Sequence, residues 1–211
     1  MNRQFSLGIL IPLTLSFSCG GENDTADELT FHDGSFQKLN KEIMEQEIER
    51  KKFTRFGKMA KDSYRVNTGR FVAEYKSNGI KVNHISGSEI SLSMTEWGRE
   101  SNSAAVKQAP LLLGECIKKQ QENCVRELKQ DFNGMTAWYR GGLDAIEQGW
   151  TLDSRPAGEG NLVFKIQIEG VTGLEVDMDQ ATMVDSSGNI WNYDDLLAWD
   201  SNGIPMEAWM E

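Results

Sequence analysis

Two glutamates that lie beside tryptophans are the side chains best suited to acid–base chemistry. Glu96 directly precedes Trp97, and Glu147 lies three residues before Trp150. Glycoside hydrolysis needs two carboxyl groups, one to protonate the leaving group and one to attack or to activate water. A carbohydrate-active enzyme is therefore one alternative. The interpretation that we favour is structural, with the tryptophans in a core and Glu147 satisfying backbone groups at a tight bend.

The histidines add little catalytic chemistry. His32 and His84 are the only two in the chain, and no Gly-x-Ser-x-Gly motif presents a nucleophilic serine to either of them. We expect His84 to lie opposite Ala73 at the edge of a sheet. The sequence therefore predicts no catalytic residue and a protein that is not an enzyme.

An acidic stretch near the carboxyl end contains oxygen ligands of the kind that calcium prefers. Its members are Asp177, Asp179, Asp185, Asp194, Asp195 and Asp200. The segment 185–189, Asp-Ser-Ser-Gly-Asn, lacks the remaining positions of an EF-hand loop, and its residues are ordinary turn formers. We therefore predict neither a metal site nor a cofactor.

Two cysteines, Cys116 and Cys124, have seven residues between them. A hairpin with its tip near residues 119–121 would place them face to face, with Leu112 opposite Leu128, and we predict a disulfide. Two separate buried thiols remain an alternative. A zinc site is a weaker one, because the further ligands of such a site are missing.

The third cysteine follows an apolar run. Arg3 is the only early charge, and the uncharged run that follows is too short to span a bilayer but fits a secretory signal. The sequence Ser18-Cys19-Gly20-Gly21 then resembles a bacterial lipobox, with Ser16 where that motif favours an apolar residue. The resemblance implies that Cys19 becomes the first residue of the mature protein and carries acyl chains, which would hold the protein stably at a membrane. A plain signal peptide cut elsewhere and an uncleaved anchor are the alternatives.

These features divide the chain into four segments. We expect a lipoprotein signal peptide over residues 1–18, a flexible acidic tether over 19–34, a helical segment over 35–62 and a β-sandwich-like domain over 63–211. The chain of 211 residues has a formal net charge of −10. This charge argues against nucleic acid as a partner, because phosphate backbones would be repelled.

The hydrophobic pattern changes from a helical period to a period of two. Apolar residues at a spacing of three to four predict a surface helix from Phe36 to about Lys52. Alternating apolar residues then predict strands over 71–75, 90–94 and 162–168. The dipeptide Asn78-Gly79 predicts a two-residue turn that sets Tyr75 opposite Val82. Short strands separated by turns predict a mainly β fold, an antiparallel β-sandwich with an amino-terminal surface helix.

Three stretches resemble the amino-terminal β-rich region of large secreted bacterial proteins, in which this region often precedes FG-GAP (integrin-α-like) repeats. They cover residues 64–82, 138–170 and 193–209. The motif that carries the resemblance consists of Trp138, Tyr139, Glu147, Gln148, Gly149, Trp150, Arg155 and Pro156. Ala137 stands where an acidic residue is expected, and no repeat unit is present. The resemblance implies architecture and a surface location, and it assigns no activity.

Together these observations predict a lipid-anchored protein of the bacterial cell envelope, on the outer membrane or the cell surface. Its expected role is non-enzymatic binding, adhesion or assembly, with the membrane as one partner through Cys19 and a surface protein or polysaccharide as another. The alternatives are a carbohydrate-active enzyme with paired carboxylates and a truncated remnant of a larger repeat protein.

Overall fold

The computed structural model describes residues 11–14, 53–54, 56–59, 62–120, 123–142 and 145–211. Within these ranges every regular element is a β-strand, every pairing is antiparallel, and no helix occurs. The expectation of a mainly β, antiparallel fold is therefore confirmed.

The predicted helical segment 35–62 is not supported. Residues 53–54 pair with the end of a longer strand, and residues 57–58 pair with the strand that begins at Tyr64. Phe53 and Thr54 are residue types that favour strands, and the strand partner supplies the backbone hydrogen bonds that a helix would otherwise provide. The predicted helix from Phe36 to about Lys52 lies outside the described residues.

The larger sheet has nine strands in the described part of the chain. These strands are β1 (Ile11–Thr14), β2 (Phe53–Thr54), β9 (Leu112–Gln120), β10 (Asn123–Asp131), β11 (Met135–Gly142), β12 (Ala145–Leu152), β14 (Val171–Asp177), β15 (Gln180–Asp185) and β16 (Ile190–Tyr193). Their order across the sheet is β14-β15-β16-β1-β12-β11-β10-β9, with β2 beside β11.

The smaller sheet has seven strands among the described residues. They are β3 (Gly57–Lys58), β4 (Tyr64–Asn67), β5 (Phe71–Lys76), β6 (Gly79–His84), β7 (Glu89–Arg99), β8 (Asn102–Ala105) and β13 (Leu162–Glu169). Their order is β13-β7-β6-β5-β4-β3, with β8 also beside β7. A separate pair is formed by β17 (Ala198–Trp199) and β18 (Pro205–Met206).

Both large sheets contribute to one cluster of buried apolar side chains. Ring pairs join the sheets, among them Phe71 with Trp191 at 5.8 Å between centroids, Tyr75 with Tyr139 at 5.3 Å and Trp150 stacked on Phe164 at 4.7 Å. Such pairs contribute about 0.5–1.5 kcal/mol each beyond the burial of their area. The alternating residues Phe71, Ala73 and Tyr75 of β5 therefore form part of this core, as their period of two predicts.

The hairpin near Asn78 forms, but its register differs from the prediction. The turn consists of Ser77 and Asn78, so Tyr75 lies opposite Ile80 rather than Val82. Gly79 is the first residue of β6, where a Cβ would collide with the backbone of β7 at Leu92. This glycine is needed for close approach of two strands rather than for the turn.

The structure contains the predicted disulfide between Cys116 and Cys124, whose Cα atoms are 5.5 Å apart. The strand register was predicted wrongly. Cys116 lies opposite Arg126, and Leu128 lies opposite Leu113 rather than Leu112, because irregularities in the pairing on either side of Arg126 shift one strand against the other.

Candidate functional site

The β11–β12 hairpin carries six of the eight residues of the family-like motif, and it divides them between two faces. Tyr139, Gln148 and Trp150 point to the core side, where Trp150 meets Phe164 of the smaller sheet. Trp138 and Glu147 lie on the opposite side, which we call the outer face of the larger sheet. Successive side chains of a strand alternate between faces, and the hairpin register keeps this division on both strands.

A row of charged side chains crosses the outer face, and we call it the Arg140 row. The Arg140 guanidinium donates to Oε1 of Glu127 from Nε at 2.9 Å and from Nη2 at 2.6 Å. Its Nη1 lies 3.6 Å from Oε2 of Glu147. The side chains of Glu127 and Glu147 are only 8% and 3% exposed. One partly buried cation therefore lies between two buried carboxylates, and Lys129 adds a second cation 3.2 Å from Glu127.

A cleft of about 360 Å³, the Trp138 cleft, opens beside this row. It is lined by Glu127, Lys129, Thr136, Trp138, Arg140, Thr151 and Trp199. The guanidinium carbon of Arg140 lies 4.6 Å from the ring centroid of Trp138, a cation–π contact that fixes the ring. Trp199 comes from the separate β17–β18 pair and is only half-buried. The cleft thus combines an aromatic ring with hydroxyl and charged groups, a composition that suits polar ligands.

A second cleft of about 270 Å³ lies on the core side, between the two large sheets, and we call it the inner cleft. Its polar floor is a hydrogen-bond chain, in which the Tyr139 hydroxyl donates to Oε1 of Gln130 at 3.0 Å and Gln130 donates to the Ala109 carbonyl at 2.9 Å. Burial raises the pKa of Tyr139 well above its usual range, so this phenol remains a hydrogen-bond donor. Tyr139 and Gln130 are therefore engaged in hydrogen bonds within the core.

The structure does not bring Glu96 and Glu147 together. Glu96 pairs with Lys165 on the side of the smaller sheet away from Phe164, whereas Glu147 lies on the outer face of the larger sheet. The packed Trp150–Phe164 pair separates the two faces. Hydrogen bonds from Ser103 and from Lys165 lower the pKa of Glu96, the reverse of what a general acid needs.

Asp185 is a buried carboxylate at the turn between β15 and β16. It accepts hydrogen bonds from Ser88 Oγ at 2.5 Å, from Trp191 Nε1 at 2.9 Å and from Asn189 at 2.8 Å. Burial alone would raise the pKa of Asp185, but these bonds together hold it well below its usual range. Ser88 belongs to the turn before β7, so this carboxylate ties the two large sheets together.

His84 lies near this cluster without forming a catalytic triad with it. Its Nδ1 is 2.8 Å from Ser86 Oγ, and its ring meets the edge of Trp191 at 5.7 Å. The expectation that it lies opposite Ala73 at a sheet edge was wrong, because the residue opposite is Phe71 and β6 is an interior strand. The shift by two residues follows from the turn at Ser77.

The remaining predicted groups lie apart from these sites. Arg155 is exposed in the loop after β12, and Pro156 follows it there. Among the described residues, no group of three or more His, Cys, Asp or Glu side chains is placed to hold a metal ion. None of those residues forms a helix with the length and hydropathy needed to span a bilayer. Cys19 and His32 lie outside the described residues.

Sequence reasoning missed Glu127, Arg140, Trp199 and the role of Asp185. The alternation of Trp138 and Arg140 on one strand was a usable signal for the outer face. The pairing of Arg140 with Glu127 depends on which strands are neighbours, and local sequence does not carry that information.

No protein-family model, curated protein sequence or solved structure matches this chain significantly.

Proposed function

We propose that the chain is a lipoprotein of the bacterial cell envelope, anchored through acylated Cys19, whose β-domain binds a surface polysaccharide or protein without catalysing a reaction. In this proposal the two large sheets pack as a sandwich. The lipobox-like sequence around Cys19 and the resemblance to secreted surface proteins support the location. The Trp138 cleft of the β-domain supports the binding role.

The observation that carries the binding role is the Trp138 cleft. Its charged floor is already neutralised, because the two cations Arg140 and Lys129 balance the two carboxylates Glu127 and Glu147. The aromatic ring of Trp199 and the hydroxyls of Thr136 and Thr151 remain to line it. Polysaccharides present apolar sugar faces and many hydroxyl groups, so an aromatic ring with hydrogen-bonding neighbours complements them. We therefore take a polysaccharide as the first ligand class to test.

The arrangement of the carboxylates supports binding rather than hydrolysis. Glycosidases place two carboxyl groups on either side of one bond. Glu96 and Glu147 lie on different sheets, and Glu127 and Glu147 face the same guanidinium. Glu127 and Glu147 are thus both engaged by the Arg140 guanidinium and do not flank an open space between them.

The experiment is affinity electrophoresis of the full chain through gels that contain purified bacterial surface polysaccharides. Trp199→Ala should weaken retardation about tenfold, because it removes one of the two tryptophan rings that line the cleft. Trp209→Ala is the matched control, since Trp209 is an exposed tryptophan of the same terminal segment that does not line the cleft. Equal retardation of both variants would contradict the assignment of the cleft. Release of reducing sugars that is abolished by Glu147→Gln would favour the enzyme instead.

A further inference from the structure

The most unusual position in the larger sheet is that of β1. This strand lies between β12 and β16 and pairs with both, so that Leu13 is opposite Ile146 on one side and Tyr193 on the other. Ile146 and Tyr193 are buried members of the core cluster. The backbone of residues 11–14 therefore completes the sheet at its centre rather than at an edge.

Cleavage before Cys19, which belongs to the proposed function, would remove this strand. Residues 11–14 precede the cleavage site, so the mature protein would have a vacant position, which we call the strand gap, between β12 and β16. Both flanking strands run antiparallel to β1 and are therefore parallel to each other. Neighbouring strands in a sheet are about 4.8 Å apart, so the gap separates its two flanks by about 9.6 Å.

Contacts with the smaller sheet oppose closure of the strand gap. The β15–β16 flank is held by the 2.5 Å hydrogen bond from Ser88 to Asp185 and by the ring contact of Trp191 with Phe71. Closure requires a movement of about 4.8 Å, the width of one strand. Such a movement would break these contacts or those that hold the β12 flank.

The other flank is held independently. Trp150 of β12 stacks on Phe164 at 4.7 Å, and Tyr139 of the neighbouring β11 meets Tyr75 at 5.3 Å. Because each flank is packed against the same smaller sheet, neither can move toward the other without losing buried contacts. An open gap would instead leave backbone N–H and C=O groups of β12 and β16 without strand partners, which is costly near a core.

We infer that the strand gap of the mature protein is a binding site for an extended segment of a partner protein, inserted antiparallel to β12. Backbone hydrogen bonds to both flanks supply affinity, as in other cases of strand addition. The partner segment needs an apolar residue opposite Ile146 and Tyr193. The residue before it lies opposite Glu147 and the residue after it lies opposite Asn192, so polar residues suit these two positions. The pairing of β1 itself shows that a strand fits there.

The test uses the lipoprotein extracted from membranes in detergent, after mass spectrometry has established whether residues 1–18 are present. The probe is a synthetic peptide of residues 9–16 with a terminal lysine pair for solubility. The matched control peptide carries Leu13→Asp, which would place an unpaired carboxylate opposite Ile146. Binding is measured by fluorescence anisotropy, and protection is measured by hydrogen exchange of the β12 and β16 amides.

The expected result is saturable binding that the control peptide weakens at least about tenfold, because a buried unpaired charge is strongly unfavourable. The amides of β12 and β16 gain protection, whereas those of β5 and β6 do not change. Cleaved protein that binds no peptide overturns the strand gap alone. If the cleaved protein is a dimer whose β12 and β16 amides are protected without peptide, the strand gap is filled by a second copy of this chain. That result would overturn the inference of a partner protein. Retention of residues 1–18 overturns both the gap and the proposed function.

Discussion

Asp185 shows how one side chain can hold two sheets together. Its carboxylate is 1% exposed and accepts bonds from both sides of the core. Because those bonds lower its pKa in the folded protein, they stabilise the fold fully above the ordinary aspartate pKa, which is about 4. This stabilisation is lost progressively as the pH falls from about 4 toward the lower folded-state pKa.

Asp185→Asn should lower the free energy of unfolding at pH 7 by about 3 kcal/mol, because the new amide group would face hydrogen-bond donors. The variant should also lose less stability than the wild type between pH 5 and pH 2. Asp200→Asn is the matched control, because Asp200 accepts backbone bonds in a similar turn but bonds to no other sheet. Urea unfolding across this pH range measures both variants, and equal losses would contradict the inter-sheet role of Asp185.

Arg140 is the second residue whose side chain should stabilise the fold, because it lies between two buried carboxylates. Arg140→Met should destabilise the protein by about 3 kcal/mol, because the buried carboxylates of Glu127 and Glu147 would lose the guanidinium that lies between them, and Lys129 contacts only Glu127 of the two. Lys165→Met is the control, since Lys165 is exposed and Glu96 is only partly buried, so this pair should matter little. Thermal and urea unfolding measure the difference, and a mild effect of Arg140→Met would show that water reaches the Arg140 row.

At the scale of elements, local pattern predicts strands well and their register poorly. Alternation identified the strands at Phe71, Ile90 and Leu162, because a half-buried strand must alternate. The turn at Ser77 was misplaced by one residue because Gly79 is required by the neighbouring strand and not by the turn. Contacts between strands distant in sequence decide such details.

The passage from β13 to β14 depends on the absence of a side chain at Gly170. Gly170 has a φ of +83°, and a Cβ there would collide with the Glu89 carbonyl oxygen. Gly170→Ala should therefore cost about 3 kcal/mol, through both the strained φ and the collision.

Gly203→Ala is the matched control for this glycine. Gly203 has a φ of +78°, but no atom lies within 4 Å of the position that a Cβ would take, so only the backbone strain of about 1 kcal/mol applies. Urea unfolding of the two variants separates strain from collision. Equal destabilisation would show that the corner relaxes around the added methyl group.

At the scale of the whole molecule, composition and hydrophobic pattern predicted the mainly β class. They could not predict how the strands are distributed between the two sheets. β13 and β14 are consecutive in sequence, yet Gly170 separates them into different sheets. Likewise, Glu127 and Arg140 form the Arg140 row only because β10 and β11 are neighbours. The outer face could be predicted strand by strand, whereas the ion pairs across it required the sheet order.

The location proposed for the molecule rests on Cys19, and it decides whether the strand gap exists. Mass spectrometry of the amino-terminal peptide of protein isolated from the membrane fraction tests it most directly. We predict that residues 1–18 are absent and that Cys19 carries a diacylglyceryl thioether. A peptide with an intact Ser18–Cys19 bond and an unmodified thiol would contradict the proposal.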